Sequence, residues 1–266
     1  MNNNFTFMIK RITALLAIVL YSLSLLGQEN DLDLYLLIGQ SNMAGRGIVD
    51  GKSETNTKIL ALNAENEWVV ANDPMHFDKP EAGVGPGLSF ATEMLKLNPE
   101  QAIGLIPCAV GGTSISKWSP NVFDSGTGFY PYDNASDRAK IARKSGTLKG
   151  VLWHQGEGDS NDKAYPHDKE RCETLSRNLA TELEFDLDSM PIVIGELGIF
   201  FTERIPANKS VEMNKILNEI AQEHSTIECV SSKELIHKGD NIHFDAQSAR
   251  ELGKRYAQAM KKLQEK

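Results

Sequence analysis

Apolar residues fall in short runs along this chain, and helical patterns separate the runs. Residues 32–38, 102–110, 150–154, 191–197 and 226–230 are dominated by apolar side chains. Strict alternation would mark half-exposed strands, whereas runs that are apolar throughout mark strands covered on both faces. Residues 88–97, 134–144, 169–185, 210–223 and 245–263 carry helical patterns instead. Pro86-Gly87 opens the first helix and Asn98-Pro99 closes it, while Asp245 is placed to cap the last. Strands alternating with helices predict right-handed crossovers and a central, mostly parallel five-stranded sheet. With helices on both faces, this is a three-layer α/β/α sandwich. No repeat or low-complexity linker interrupts it, so residues 28–266 are read as one domain. Residues 119–137, rich in Gly, Pro and aromatics, read as a surface loop.

The first 27 residues stand apart. Lys10 and Arg11 precede a nearly unbroken apolar run, residues 12–26, which Gly27-Gln28-Glu29-Asn30 ends abruptly. A basic start, an apolar middle and a small residue near the end describe a secretory signal peptide. The run is shorter than the roughly 20 residues of a membrane span. The expectation is an exported protein, periplasmic or secreted, free of the membrane after cleavage. An uncleaved anchor is the alternative.

Charge narrows the partners. The chain carries −8 formally, and loss of Lys10 and Arg11 leaves −10. No basic cluster is present, so nucleic acid is excluded as a partner; phosphate binding needs clustered Lys and Arg. A sugar suits this balance. Cys108, Cys172 and Cys229 are odd in number, and Cys108 and Cys229 lie in apolar runs, which argues against a disulfide framework.

In parallel α/β sheets the ligand site lies beyond the carboxyl ends of the strands. Polar blocks stand there. The first strand leads into Gly39-Gln40-Ser41-Asn42-Met43-Ala44-Gly45, the second into Gly111-Gly112-Thr113-Ser114, and the third ends in Trp153-His154-Gln155-Gly156-Glu157. The fifth is followed by Asp240-Asn241-Ile242-His243. Ser41 at a strand-to-helix turn reads equally well as a helix cap or as a nucleophile whose N–H faces developing negative charge. Met43 occupies the second Gly position of the G-x-S-x-G elbow, so that elbow is absent. Asp-x-x-His lets Asp240 hold one imidazole nitrogen of His243 while the other faces a serine. A backbone N–H of the Gly111-Gly112 turn and the Gln155 amide could then meet an oxyanion.

Taken in order, these four blocks resemble the SGNH hydrolase superfamily, and within it the carbohydrate esterase family six and sialate O-acetylesterase branch. The resemblance spans residues 31 to about 260. It implies an SGNH, flavodoxin-like sheet and a triad of Ser41, Asp240 and His243. It also implies an oxyanion hole from Ser41, Gly112 and Gln155, with Gly111 as an alternative to Gly112. Most of the superfamily has Asn where Gln155 stands. Gly83–Gly87 is similar to a further segment of the branch; no Gly-Lys-Ser/Thr follows it, so it reads as a structural turn.

The expected activity is metal-free and cofactor-free hydrolysis of O-acetyl esters on carbohydrates. The compact chain looks more like acetylxylan esterases than like sialate O-acetylesterases, which are the main alternative. Activity should fall on acidification through the histidine range, near pH 6.5 for an ordinary imidazole. Trp118, Phe129, Tyr130, Tyr132 and Trp153 are candidates to stack on sugar, although Trp153 ends a buried strand and reads as core. Two rivals remain: a metal hydrolase drawing on His154, Glu157, Asp159, Asp240, His243 and Asp245, and a non-catalytic carbohydrate-binding protein on the same fold.

Overall fold

The apolar run at residues 32–38 forms the middle of the sheet. A computed structural model of the chain describes residues 32–51, 53–205 and 207–266; residues 1–27, read from the sequence as a signal peptide, lie outside these. Strand β1 (Leu32–Gly39) is buried at every position but Asp33. It pairs in parallel with β4 (Ile103–Pro107) on one side and β5 (Gly146–His154) on the other. Beyond β5 lie β6 (Ile192–Gly195) and β7 (Ile227–Val230), both parallel. Beyond β4 lie β2 (Ile59–Leu62), parallel, and β3 (Trp68–Val70), antiparallel to β2. The order is β3-β2-β4-β1-β5-β6-β7.

The sheet therefore has seven strands rather than five. The additional pair is a hairpin at one edge, closed by Asn63, whose side chain accepts hydrogen bonds from the Glu65 and Glu67 N–H groups. Its strands have only four and three residues, too few for a pattern to register.

Residues 32–266 form one compact unit whose core lies on both sides of the sheet. Leu32, Leu34, Leu36 and Ile38 of β1 face one side. They meet apolar residues of α3 (Pro131–Ala142), α4 (Asp168–Glu182) and α6 (Ser210–Glu223). Tyr35 and Leu37 face the other side, toward α2 (Gly87–Leu97) and α7 (Ala246–Gln264). Two short helices, α1 (Ser41–Ala44) and α5 (Phe201–Arg204), lie outside these layers. Asp245 caps α7 by accepting from the Ser248 N–H at 2.7 Å. Helix α3 starts at Pro131, inside the stretch read as a loop, because Pro is well suited to the first helical turn. The three cysteines are unpaired.

Candidate active site

Strand β1 stops at Gly39, which takes φ +124°, and a Cβ there would stand 2.1 Å from the His154 carbonyl oxygen of β5. Only glycine permits that turn. The next residue is pinned from both sides: Gln40 N–H donates to His154 O at 2.9 Å, and Gln40 O accepts from Met43 and Ala44. Ser41 thus opens α1 at the carboxyl end of the central strand. Its hydroxyl makes no capping bond. Instead Ser41 Oγ lies 3.0 Å from His243 Nε2, and His243 Nδ1 lies 2.7 Å from Asp240 Oδ2.

The Asp240–His243 segment is held from several directions. Asp240 Oδ1 accepts from the Ile242 and His243 N–H groups, at 3.0 and 2.9 Å. Burial alone would raise the Asp240 pKa. The backbone and ring donors of His243, with the Ile242 N–H, outweigh it and bring the value down to about 2. His237 braces the loop from within, its Nδ1 accepting from Gly239 and Asn241. Asn42 ties this loop to the serine turn: its amide donates to Ile242 O at 3.1 Å and to Glu157 Oε1, and its oxygen accepts from Phe244 N–H at 3.1 Å. Glu157 is itself buried 3.5 Å from His154 Nε2. Burial opposes the Glu157 charge, but the His154 and Asn42 side chains prevail and lower its pKa below the ordinary value.

The second block separates its two glycines. Gly111 N–H donates to Asp78 Oδ2 at 2.8 Å, and Asp78 also pairs with Arg46 at 2.6 Å, both side chains being almost fully enclosed. The Gly111 N–H is therefore occupied. Gly112, at φ +87°, lines the cleft, and among the described residues neither its N–H nor that of Ser41 has a backbone acceptor. Trp118 Nε1 donates to Thr113 Oγ1 at 3.1 Å and so steadies this turn from below.

Gln155 is not placed as expected. It is 1 % exposed and absent from the cleft lining. Its amide nitrogen donates to Thr113 O, at 3.2 Å, and to Asp159 Oδ2, which occupies both hydrogens. Asp159 also accepts from Ser114 Oγ and from Ile115 N–H, so it joins the second block to the third. The position suggested by the resemblance thus orders the loop and leaves no donor for an oxyanion. Gln40, Asn42, Asp78, Arg46 and His237 were not singled out from sequence. Gln40, Asn42, Asp78 and Arg46 act through long-range contacts and His237 through backbone groups of its own loop, and only the adjacency of Gln40 and Asn42 to Ser41 could have flagged any of them.

The cleft around Ser41 has a volume of about 500 Å³. Lys79, Glu81 and Lys238 stand among its polar residues, and Phe201, Ile205 and Ile242 among its apolar ones. A larger cleft of about 810 Å³, lined in part by residues of α2 and α7, has no member of the triad among its lining residues. Among the aromatics, Trp118 and Trp153 pack edge-to-face at 5.3 Å inside the core, and Tyr132 is also buried. They are not sugar platforms. Tyr130 is exposed and stacks at a tilt on Phe123, 5.0 Å away. The residues weighed for a metal centre do not meet in one site: Asp245 caps a helix and Asp159 holds a loop. Among the described residues, the one cluster with metal-like spacing is Glu173, Glu223 and His224, none of them in the Ser41 cleft.

A serine hydroxyl, an imidazole and a carboxylate in series, at the carboxyl end of a parallel sheet and without a G-x-S-x-G elbow, define an SGNH-type hydrolase layout. The chain belongs to the family described as "Carbohydrate esterase, sialic acid-specific acetylesterase", whose model matches residues 31–262. It is 33 % identical over 254 residues to a probable carbohydrate esterase of Arabidopsis thaliana, covering 85 % of this chain and 89 % of the relative. A crystal structure of an Arabidopsis thaliana protein superposes with a TM-score of 0.76 at 29 % identity, over 87 % of this chain and 98 % of that one. A carbohydrate acetylesterase from Xanthomonas citri shares the fold, with a TM-score of 0.68 at 16 % identity, over 88 % of this chain and 57 % of that one.

Proposed function

We propose that the protein is an exported serine esterase that removes O-acetyl groups from carbohydrates, with acetylxylan or its oligosaccharides as the favoured substrate. The observation that carries this reading is the series from Ser41 Oγ to His243 Nε2 at 3.0 Å and from His243 Nδ1 to Asp240 Oδ2 at 2.7 Å. In the first step Ser41 Oγ bonds to the acetyl carbonyl carbon while its proton passes to His243. The carbonyl electron pair moves onto oxygen, where the Ser41 and Gly112 N–H groups meet it. The oxyanion collapses, the sugar oxygen leaves, and His243 gives it the proton. Water, losing a proton to His243, then bonds to the acetyl carbon; the Ser41 Oγ–carbon bond breaks, Oγ takes the proton back from His243, and acetate leaves. Asp240 stays ionised throughout and stabilises the imidazolium.

O-acetyl sialic acid is the second reading. Lys79 and Lys238 line the cleft and suit a substrate carboxylate, although Glu81 lines it too and Lys238 Nζ lies 3.8 Å from Asp240 Oδ2. The first test is turnover of p-nitrophenyl acetate by the wild type and Ser41→Ala, each with and without excess EDTA. Loss in Ser41→Ala with EDTA harmless is the expected result. Wild-type turnover by Ser41→Ala, or silencing by EDTA, would sink the serine mechanism, and a wild type inert toward acetylated sugars too would favour a binding protein. A kcat/KM preference for O-acetyl sialic acid over acetylated xylan would reverse the substrate ranking.

A further inference from the structure

The charged residues that line the Ser41 cleft are, with two exceptions, already engaged. Arg46 is paired with Asp78, Lys238 Nζ lies 3.8 Å from Asp240 Oδ2, Asp240 holds His243, and Glu157 bonds to Asn42. Lys79 and Glu81 line the cleft too, and both are exposed. Among the described residues neither side chain has a hydrogen-bond or ion-pair partner. They flank Pro80 in a turn that the Lys79 carbonyl closes by accepting from the Ala82 N–H at 3.0 Å. Proline at the second position favours such a turn. The turn is anchored at both ends. Before it, Asp78 is bonded to Arg46 and to the Gly111 N–H; after it, the Gly83 N–H donates to Gly45 O at 3.1 Å. Lys79 Nζ stands 3.6 Å from where a Cβ on Gly112 would be, so the ammonium lies beside the second block. A donor and an acceptor are thus held two residues apart on one fixed turn in the cleft of the nucleophile, and the protein neutralises neither.

We infer that Lys79 and Glu81 bind neighbouring hydroxyls of a neutral pyranose, Lys79 donating and Glu81 accepting, and so make the cleft selective for uncharged acetylated sugars. The inference rests on the esterase reading and narrows its substrate. Charge decides between the candidates. The two free groups sum to zero, so a carboxylate drawn to Lys79 would be opposed by Glu81. Hydroxyls use both groups, because each can donate and accept, whereas an ionised carboxylate only accepts. Phe201, Ile205 and Ile242 give the same cleft an apolar part, and a pyranose presents C–H faces as well as a hydroxyl rim. A few placed polar groups in a partly apolar cleft are what fixes a ligand's orientation and supplies specificity.

The test compares kcat/KM for an acetylated xylo-oligosaccharide with kcat/KM for p-nitrophenyl acetate, whose alcohol part carries no sugar hydroxyl. Lys79→Met and Glu81→Met should each lower the ratio of the two by about 3- to 10-fold, mainly through KM for the sugar ester. Glu81→Gln keeps an accepting oxygen and should recover part of the loss. Both side chains are exposed, so melting temperatures near that of the wild type are expected and separate lost contacts from lost fold. A ratio unchanged in both Met variants overturns the inference. So do opposite responses toward O-acetyl sialic acid, lowered by Lys79→Met and raised by Glu81→Met, since these mark a carboxylate anchor. Wild-type turnover by Ser41→Ala removes the esterase reading, and the selectivity for acetyl esters with it. Calorimetric binding of the oligosaccharide to Ser41→Ala keeps the two failures apart, and it should weaken when Lys79→Met or Glu81→Met is added. If Ser41→Ala is inactive and binds the oligosaccharide equally well in all three backgrounds, this inference alone fails.

Discussion

Asn42 is the residue through which stability and activity should fall together. Its side chain bridges the serine turn, the histidine loop and the buried Glu157. Asn42→Ala strands the Phe244 N–H, a buried donor, at a cost of about 1–3 kcal/mol. It also removes a donor from an ionised carboxylate, worth about 1.5–3 kcal/mol. Ile242 O is partly exposed and can turn to water. The sum is about 2.5–6 kcal/mol, and a domain of this size loses about 2–4 °C of Tm per kcal/mol. Calorimetry should therefore show Tm lower by about 5–24 °C. Release of the loop also frees His243 from Ser41, and a misplacement near 1 Å costs about 100-fold in rate. Asn42→Asp separates the two contributions. It still accepts from Phe244 N–H but sets a second carboxylate against Glu157, so its Tm should recover toward acid pH as one of the pair takes a proton. If Asn42→Ala melts within about 2 °C of the wild type and keeps its kcat, the bridge carries neither stability nor positioning.

Asp240→Asn should lower kcat by about 10⁴-fold through the wrong imidazole tautomer, while thermal melts stay close to wild type because the Asn oxygen still accepts from Ile242 and His243. Gly112→Ala meets no steric obstacle, Lys79 Nζ being 3.6 Å away, but the positive φ costs about 1–2 kcal/mol. Steady-state kinetics should show kcat down about 10- to 100-fold as the N–H turns from the oxyanion. Asp168 is buried, with an unpartnered Oδ1; burial first and the Asp159 charge second raise its pKa to about 8. Between about pH 4 and 8 the unfolded carboxyl is ionised and the folded one protonated, so this group makes stability fall as pH rises through that window. Asp168→Asn should therefore gain Tm over the wild type increasingly from pH 4 to pH 8, and a pH-independent difference would refute this.

What was legible in the sequence was whatever depends on local pattern. Strand β1, apart from Asp33, and residues 150–154 of β5 announce themselves because both faces are covered there, whereas the start of β5, with Thr147 and Lys149 exposed, breaks the pattern. The Asp240-x-x-His243 spacing is readable because a single turn of chain closes it, with Asp240 Oδ1 bonding the His243 N–H. The β2–β3 hairpin is not readable, since its strands are too short for any period to show. Gln155 marks the difference between placing a block and placing a side chain. The block does end β5 at the site, but the side chain follows Asp159, four residues on, into the layer beneath the Thr113 turn. Gly111 and Gly112 are equivalent in sequence and are told apart only by Asp78, which comes from a loop 33 residues earlier.

Two ionised carboxylates, Asp240 and Glu157, line the cleft with Ser41, and their surroundings give them different work. Asp240 is partly exposed, touches His243 directly, and is charged because three N–H groups of the loop point at it. Glu157 is enclosed, and it bonds to Asn42 rather than to His243. Its charge is compensated by the Asn42 amide and by His154, whose Nδ1 is in turn 2.9 Å from Tyr256 OH in α7. An enclosed carboxylate that lost these partners would be far costlier than one near water, so the network resists rearrangement. The exposed acid can therefore respond to the charge that comes and goes on His243, while the enclosed acid fixes, through Asn42, where that histidine stands. Removing the charge of Asp240 should alter chemistry at constant fold, whereas removing that of Glu157 should alter the fold first and the chemistry as a consequence.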